Sequence, residues 1–123
     1  MAPCGLNLHA ALVSRPAHTV LLRVWGDSMV GAGIHHGDLL VVDRSLEPRH
    51  GRIVVARLDD GFTLKRLMHR PHGWMLEAAH PAWPPLPLGD GLAWGVALHA
   101  IRTLPGGTLP GGTLPGGTLP GRR

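Results

Sequence analysis

One serine and one lysine in this chain have the residue types and the spacing that nucleophilic catalysis could use. Ser28 lies in the short segment Gly26-Asp27-Ser28-Met29, and Lys65 follows 37 positions later in an apolar strand pattern. Lys65 is the only lysine, because 11 of the 12 basic side chains are arginines. Arginine does not give up its proton in a protein, whereas a buried lysine can. The sequence therefore singles out Lys65 as a candidate base.

The chemistry that such a pair performs is attack of a serine hydroxyl on a carbonyl carbon. A serine hydroxyl is a weak nucleophile at neutral pH and needs a base within hydrogen-bonding distance. An exposed lysine has a pKa of about 10.4 and is protonated, but burial disfavours the charged form and lowers this pKa. Leu64, Leu67 and residues 53–56 are the candidate apolar walls around the amine.

The segment around the serine has two interpretations at this point. Gly26 would let backbone amides approach a developing oxyanion, so Gly26, Asp27 and Met29 form a candidate oxyanion turn beside Ser28. Gly-Asp-Ser is equally a common turn sequence, in which the serine only caps the turn. A single lysine in a strand is in most cases a solvated charge at a sheet edge. Residue types alone leave the two interpretations open.

The elements that must position this pair are predicted to be strands. Apolar and β-branched segments bounded by glycine, proline and aspartate recur along the chain, with almost no helical periodicity. Several short strands with tight turns predict a mostly-β domain, a strongly bent sheet or small barrel-like domain with little helix. Residues 80–91 hold four prolines and are predicted to be a loop. The predicted strands are 19–25, 38–43, 52–58, 62–69, 74–78 and 92–104.

The strand that carries Lys65 is predicted to be the second arm of a hairpin. Asp59-Asp60-Gly61 is a typical hairpin turn. Alternate residues of a strand share one face, which places Thr63, Lys65 and Leu67 together.

Composition limits the classes of protein to which the chain can belong. With 123 residues, 44% hydrophobic and 16% charged, we expect one globular domain. No run of 18 apolar residues and no signal-peptide pattern occurs, so a cytoplasmic protein without a membrane contact is expected. The net charge of +4 includes Arg122 and Arg123 at the end of the chain, and the other arginines are scattered. Direct sequence-specific DNA binding is therefore not expected.

Metal and cofactor chemistry is not indicated. A single cysteine, Cys4, excludes an internal disulfide and a cysteine-only metal site. The nine histidines have no acidic or cysteine partners at ligand spacing, so we predict no metal and no cofactor.

Three segments follow from this pattern. Residues 1–18 are predicted to be a flexible N-terminal arm with at most one short turn, and residues 19–102 a β domain. From residue 103 the sequence Thr-Leu-Pro-Gly-Gly repeats, with copies starting at 103, 108, 113 and, incompletely, 118. Such a composition buries too little apolar surface to offset chain entropy, so a disordered tail is predicted for 103–123. A binding role for the tail is the alternative.

Residues 19–102 resemble the LexA/UmuD family of self-cleaving Ser-Lys peptidases. The resemblance continues at 82–86, through a tryptophan and two prolines, and at 95–99. His80 stands where the family tends to have asparagine, which affects a loop hydrogen bond. The four motifs that carry the resemblance are Gly26-Asp27-Ser28-Met29, 37–43 (GDLLVVD), 50–56 (HGRIVVA) and 61–67 (GFTLKRL).

The resemblance implies a role for each residue of the pair. Ser28 is then the nucleophile and Lys65 the general base, and the serine-to-lysine spacing agrees with UmuD-type proteins. These proteins cut themselves at a Cys-Gly bond on an N-terminal arm, which identifies Cys4-Gly5 as the candidate cleavage site. The 23 residues between Cys4 and Ser28 are long enough to reach in cis. This arm is shorter than in UmuD, and cleavage would release a tetrapeptide.

The resemblance also implies partners. An activated RecA filament would prompt self-cleavage in the SOS response to DNA damage, and the processed homodimer would join a Y-family, UmuC-like DNA polymerase for translesion synthesis. Three alternatives remain at this point: a non-catalytic or already processed polymerase-interaction subunit, the C-terminal domain of a repressor, and a signal peptidase. A repressor is disfavoured because no helix-turn-helix precedes the domain, and a signal peptidase because no membrane anchor is seen.

Overall fold

The computed structural model describes residues 5–109 and the backbone of residues 118–120. Within these residues, helix is confined to one short α-helix and two single 3-10 turns, at Pro16–His18 and Val30–Ala32. None of the helices in these ranges is long and apolar enough to cross a membrane. The other elements, in chain order, are α1 (Leu8–Leu12), β1 (Thr19–Trp25), β2 (Leu39–Asp43), β3 (Ile53–Leu58), β4 (Gly61–Arg70), β5 (Gly73–Glu77), β6 (Leu86–Pro87), β7 (Leu92–Ile101) and β8 (Thr118–Pro120).

All the described strands belong to one sheet, in the order β6-β5-β4-β3-β7-β2-β1-β8. Each neighbouring pair is antiparallel except β1 and β8, which run parallel. The sheet does not close on itself, because β6 and β8 remain its two edges. The prediction of a mostly-β, LexA/UmuD-like bent sheet with little helix is confirmed.

The hairpin that carries Lys65 forms as the turn sequence predicts. β3 pairs with β4 in unbroken register from Leu58 opposite Gly61 to Ile53 opposite Arg66. Only Asp59 and Asp60 separate the two strands, and Gly61 closes the turn with a φ of 122°, a value that L side chains rarely adopt.

Two apolar clusters cover the two faces of the central strands, because neighbouring residues of β3 and β4 alternate between them. Val55 and Leu64 belong to one cluster, together with Met29 and residues of β1 and β2. Val54 and Leu67 belong to the other. Both faces of the middle of this hairpin are therefore buried, which explains the continuous apolar run at residues 53–56 of β3.

Two features differ most from the sequence prediction, while the other strand ends agree with it to within one residue. The proline-rich segment 80–91, predicted to be a loop, contains the two-residue strand β6, which pairs with β5 at the sheet edge. An edge is where a strand with proline is tolerated, because one side of its backbone needs no partner. β7 ends at Ile101, three residues before the predicted end.

The N-terminal arm is tied to the sheet near its base. α1 has Asn7 as its N-cap, whose side chain accepts a hydrogen bond from the Ala10 amide at 3.1 Å. Arg15 then pairs with the buried Asp43 carboxylate at 3.4 Å. Cys4, half of the predicted cleavage site, lies outside the described residues.

The register of the sheet is interrupted at β7, the strand between β3 and β2. β7 has one extra residue near Trp94 opposite β3 and another near Leu98 opposite β2, so its register shifts against both neighbours. Such bulges bend a strand and increase the local twist. Gly95 lies between them, and a Cβ there would come within 2.7 Å of Val42. The bend brings together elements that a flat sheet would keep apart.

Candidate active site

Ser28 and Lys65 meet in the folded chain. The Lys65 Nζ donates to the Ser28 Oγ at 3.2 Å, and both residues are 1% exposed. Lys65 is on β4, whereas Ser28 comes three residues after β1, four positions away in the sheet order. At about 4.8 Å per strand, a flat sheet would separate them by roughly 19 Å. The curvature of the sheet therefore creates this contact.

Thr63 is a second partner of the amine. Its Oγ1 lies 2.9 Å from the Lys65 Nζ, and the threonine is fully buried. Two residues apart on one strand, Thr63 and Lys65 share a face, as the alternation predicts, so the threonine hydroxyl holds the amine beside Ser28. Two of the hydrogen bonds of the amine are thus made to hydroxyl groups.

The stem of Lys65 runs along an apolar face. Val54 is its cross-strand partner, and Leu67 follows on the same face of β4. Of the predicted walls, Val54, Ala56 and Leu67 lie in the cluster on this face, whereas Leu64 and Val55 belong to the cluster on the opposite face. The methylene groups of a lysine pack well against such a surface.

The turn before Ser28 is fixed by a histidine. Gly26 has a φ of 105°, and its amide donates to the His36 Nδ1 at 2.9 Å. The amide of Val30 donates to the Asp27 carbonyl at 3.1 Å, which closes the turn around the serine. Gly26 thus shapes the turn, but its own N–H donates to His36 and is not available to stabilise an oxyanion.

A backbone bracket holds the other side of the serine. The Ala79 amide donates to the Ser28 carbonyl at 2.8 Å, and the Gly31 amide donates to the Ala79 carbonyl at 2.8 Å. A Cβ on Gly31 would lie 2.6 Å from that carbonyl oxygen, so only glycine allows this approach. The backbone of Ser28 is therefore held on one side by the turn that follows β1 and on the other by Ala79.

The remaining residues of the predicted oxyanion turn have different surroundings. Met29 is 2% exposed and packs in the core, while the Asp27 side chain is 62% exposed and lies 3.7 Å from the His80 Nε2. Within residues 5–109, no hydrogen-bond acceptor is found for the amides of Ser28 and Met29. These two N–H groups, rather than that of Gly26, are the candidate oxyanion donors.

His80 keeps a hydrogen bond within its loop. Its Nδ1 accepts from the Ala82 amide at 3.0 Å, and its ring packs edge-on against Trp83. The loop hydrogen bond that the sequence analysis placed in question at His80 is therefore made by the histidine itself.

The two carboxylates that are buried among the described residues, those of Asp38 and Asp43, have hydrogen-bond donors of their own. Asp38 accepts from Arg102 at 3.1 Å and from the His35 amide. Asp43 accepts from the Ser45 hydroxyl, which holds the pKa of that carboxyl below its usual value of 3.8, with further help from the Ser45 amide and Arg15. Neither carboxylate is bonded to the Lys65 amine.

The carbonyl carbon of the predicted cleavage bond belongs to Cys4, which lies outside the described residues. Gly5, the residue after it, is exposed. The arm is anchored at Arg15, near the start of β1. The chain from Arg15 to Cys4 can span roughly 36 Å when extended, against about 20 Å for the length of β1. An extended arm of this length is therefore long enough to reach Ser28 in cis.

Sequence reasoning missed three contributors to this site. Strand alternation puts Thr63 on the face of Lys65, a usable signal, but the sequence analysis assigns the threonine no role. His36 and Ala79 carried no signal, because their partners are backbone groups brought close only by the fold. Within the described residues no cluster of three or more potential metal ligands occurs.

Comparison with known protein families gives one matching family over most of the chain. Residues 5–96 match the family described as Peptidase S24-like. This range contains Ser28, Thr63, Lys65 and Gly5, and the match agrees with the family that the four motifs resemble.

Several relatives share this region. Protein ImpA from Salmonella typhimurium is 54% identical over 66 residues, which cover 54% of this chain and 46% of ImpA. Protein MucA from Escherichia coli is 43% identical over 99 residues, 78% of this chain and 68% of MucA. A LexA repressor from Burkholderia cenocepacia is 50% identical over 72 residues, 58% of this chain and 33% of the repressor. The chain thus spans about half the length of ImpA.

Proposed function

We propose that this chain, which belongs to the Peptidase S24-like family, is a self-cleaving serine peptidase of the SOS mutagenesis type. Ser28 is the nucleophile and Lys65 is the general base. The observation that supports this most strongly is the buried contact of 3.2 Å between the lysine amine and the serine hydroxyl.

The reaction starts with proton transfer within the dyad. The neutral Lys65 amine takes the proton of the Ser28 hydroxyl as the Oγ attacks the carbonyl carbon of Cys4. The amides of Ser28 and Met29 stabilise the oxyanion that forms. The Cys4–Gly5 bond then breaks, the lysine gives its proton to the Gly5 nitrogen, and an ester joins Cys4 to Ser28. Water, deprotonated by the same amine, hydrolyses this ester and restores the hydroxyl.

Burial of Lys65 supports its proposed role as a base. Lys65 is 1% exposed, its face of the sheet is apolar, and Ser28 and Thr63 offer hydroxyl groups to its amine. Burial disfavours the charged form of an amine. Thr63 also fixes the direction of the amine, so little reorganisation is needed before proton transfer.

The cellular role is proposed from the family resemblance. RecA filaments prompt the cleavage, and the processed homodimer serves as accessory subunit of a Y-family, error-prone polymerase in translesion synthesis. Support for this part comes from the similarity to ImpA and MucA and not from the geometry of the dyad.

Mass spectrometry of the intact chain tests the proposal. On incubation at alkaline pH, or with RecA filament on single-stranded DNA, the wild type should lose the tetrapeptide 1–4 and leave a product that begins at Gly5. Ser28→Ala should keep its full mass under both conditions. A wild-type mass that stays unchanged would contradict self-cleavage.

The non-catalytic alternative predicts a different result for the same variant. A chain that acts only as an interaction subunit should retain polymerase in a pull-down, and support mutagenesis in cells, whether or not Ser28 is present. Under the proposal, uncleaved Ser28→Ala fails in cells, while a chain that starts at Gly5 and carries Ser28→Ala restores the activity. Full activity of uncleaved Ser28→Ala would favour the alternative.

A further inference from the structure

The outer edge of β1 is a strand-binding surface. Val24 uses its N–H and C=O toward β2, bonding the Asp38 carbonyl and the Gly37 amide, each at 2.8 Å. Backbone groups of a strand alternate in direction, so the N–H groups of Arg23 and Trp25 point to the other side. Backbone groups that point outward from the last strand of a sheet are a template for a further strand.

β8 occupies this edge. Thr118, Leu119 and Pro120 lie opposite Arg23, Val24 and Trp25 in parallel register. β8 also has Cα atoms within 8 Å of Cα atoms of β4, although four strands separate the two in the sheet order. β8 therefore lies in the opening of the bent sheet between β1 and β4, which we call the β1–β4 groove.

This groove leads to the dyad. β1 runs into Ser28 three residues after Trp25, and β4 carries Lys65. Ser28 is 1% exposed, so a substrate needs an opening to reach its Oγ. A substrate backbone that entered between β1 and β4 would bring a carbonyl carbon towards Ser28, and it would meet the space that β8 occupies.

We propose that the C-terminal repeat is a built-in competitor: an extended Thr-Leu-Pro segment pairs with β1 in the β1–β4 groove and keeps substrate backbone away from Ser28 and Lys65. The inference rests on the proposed peptidase function and adds its regulation. Self-cleavage then requires the tail to leave before the N-terminal arm enters.

The repeat sequence suits this role. Proline has no N–H, so each Thr-Leu-Pro segment ends a strand ladder by itself, and the two glycines that follow make a flexible connection. Four copies of Thr-Leu-Pro start at 103, 108, 113 and 118. Tethered copies raise the effective concentration of a weak ligand without any new contact.

Amide hydrogen exchange tests the docking without requiring activity. The variant is a full-length chain in which the Thr-Leu-Pro segments at 108–110, 113–115 and 118–120 are each replaced by Gly-Ser-Gly. The amides of Arg23 and Trp25 should exchange about tenfold faster than in the wild type. Those of Leu22 and Val24, which point to β2, should not change. Equal exchange of Arg23 and Trp25 in both chains, or a rise at all four amides, would overturn the docking.

A peptide provides a matched control. Adding Gly-Gly-Thr-Leu-Pro-Gly-Gly to the variant should restore slow exchange at Arg23 and Trp25, whereas a peptide of the same composition in scrambled order should not. Equal protection by both peptides would contradict recognition of the Thr-Leu-Pro order.

Labelling of Ser28 by a fluorophosphonate separates docking from inhibition. The variant should be labelled about tenfold faster than the wild type, with Ser28→Ala as the blank in both chains. Equal labelling despite faster exchange would overturn the inhibitory role. If neither chain is labelled or cleaved while exchange differs, the peptidase proposal fails and the docking of the tail stands.

Discussion

Lys65 has apolar side chains along its stem and hydroxyl groups at its amine. Its cross-strand partner is Val54, and its amine lies 2.9 Å from Thr63 and 3.2 Å from Ser28. The choice of a lysine at a dry position could be anticipated from the sequence, because every other basic residue is an arginine. The hydroxyl of Thr63 could have been anticipated from strand periodicity. The acceptor role of His36 could not, since it depends on a backbone group ten residues away.

Replacing Thr63 by valine tests how the amine is positioned. Valine keeps the shape of threonine but removes the hydroxyl that holds the Lys65 Nζ. We expect the self-cleavage rate to fall roughly tenfold, which corresponds to about 1.4 kcal/mol of lost positioning. The rate is measured from the fraction of cleaved chain over time by mass spectrometry.

Thr63→Ser is the matched control, since it retains the hydroxyl and loses only a methyl group. Its cleavage rate should stay within about threefold of the wild type. A Thr63→Val chain that cleaves as fast as Thr63→Ser would show that this hydrogen bond does not position the base.

At the scale of elements, the site depends on a bend and a bracket. The bulges of β7 curve the sheet, and Ala79 ties the turn of Ser28 through two backbone bonds. The strands themselves were predictable, because their apolar runs and turn residues are local signals. The bend, the bracket and the two-residue β6 were not, because pairing between distant segments decides them.

Gly31→Ala tests the bracket. The new Cβ would lie 2.6 Å from the Ala79 carbonyl oxygen, so one of the two backbones must move. We expect a loss of about 1–3 kcal/mol in the free energy of unfolding, together with slower self-cleavage as the Ser28 turn shifts. Urea unfolding and the cleavage assay measure the two effects.

Val30→Ala is the neighbouring control. Val30 is 37% exposed. Its replacement by alanine removes only methyl groups from the same turn, so the free energy of unfolding should change by less than about 1 kcal/mol. Gly31→Ala with the stability and the cleavage rate of the wild type would mean that the approach of Ala79 is not needed.

At the scale of the whole molecule, a carboxylate links the arm to the sheet. Asp43 ends β2, accepts hydrogen bonds from Ser45 and pairs with Arg15 of the arm. The family, the mostly-β class and the meeting of two distant motifs could be predicted from the sequence. The placement of β8 against β1 could not, because the composition of the repeat describes the tail only in isolation.

Asp43 makes stability depend on acid pH. Its pKa is lowered in the folded chain, chiefly by the Ser45 hydroxyl. The carboxylate therefore stabilises the fold fully above its unfolded pKa, near 3.8, and this contribution is lost as the pH falls through the lower folded value. The free energy of unfolding, measured by urea at several pH values, should decline below about pH 4.

Asp43→Asn should lack this part of the decline and be less stable by about 1–3 kcal/mol near pH 7, because a charged acceptor is lost at a buried position. Ser45→Ala should likewise weaken the decline in acid and lower the free energy of unfolding near pH 7, because the Asp43 carboxylate loses a hydrogen-bond donor. An Asp43→Asn chain whose stability falls with acid as steeply as that of the wild type would assign the pH dependence to other groups.

The single lysine of this chain allows one direct test of the dyad. With ¹⁵N-labelled lysine, the only side-chain amine signal in the spectrum belongs to Lys65, and its shift reports the protonation of the base in the same sample that undergoes cleavage. We predict that the self-cleavage rate rises with pH along the same curve as the neutral fraction of the Lys65 amine. Cleavage at its full rate while that amine is still protonated would contradict the dyad.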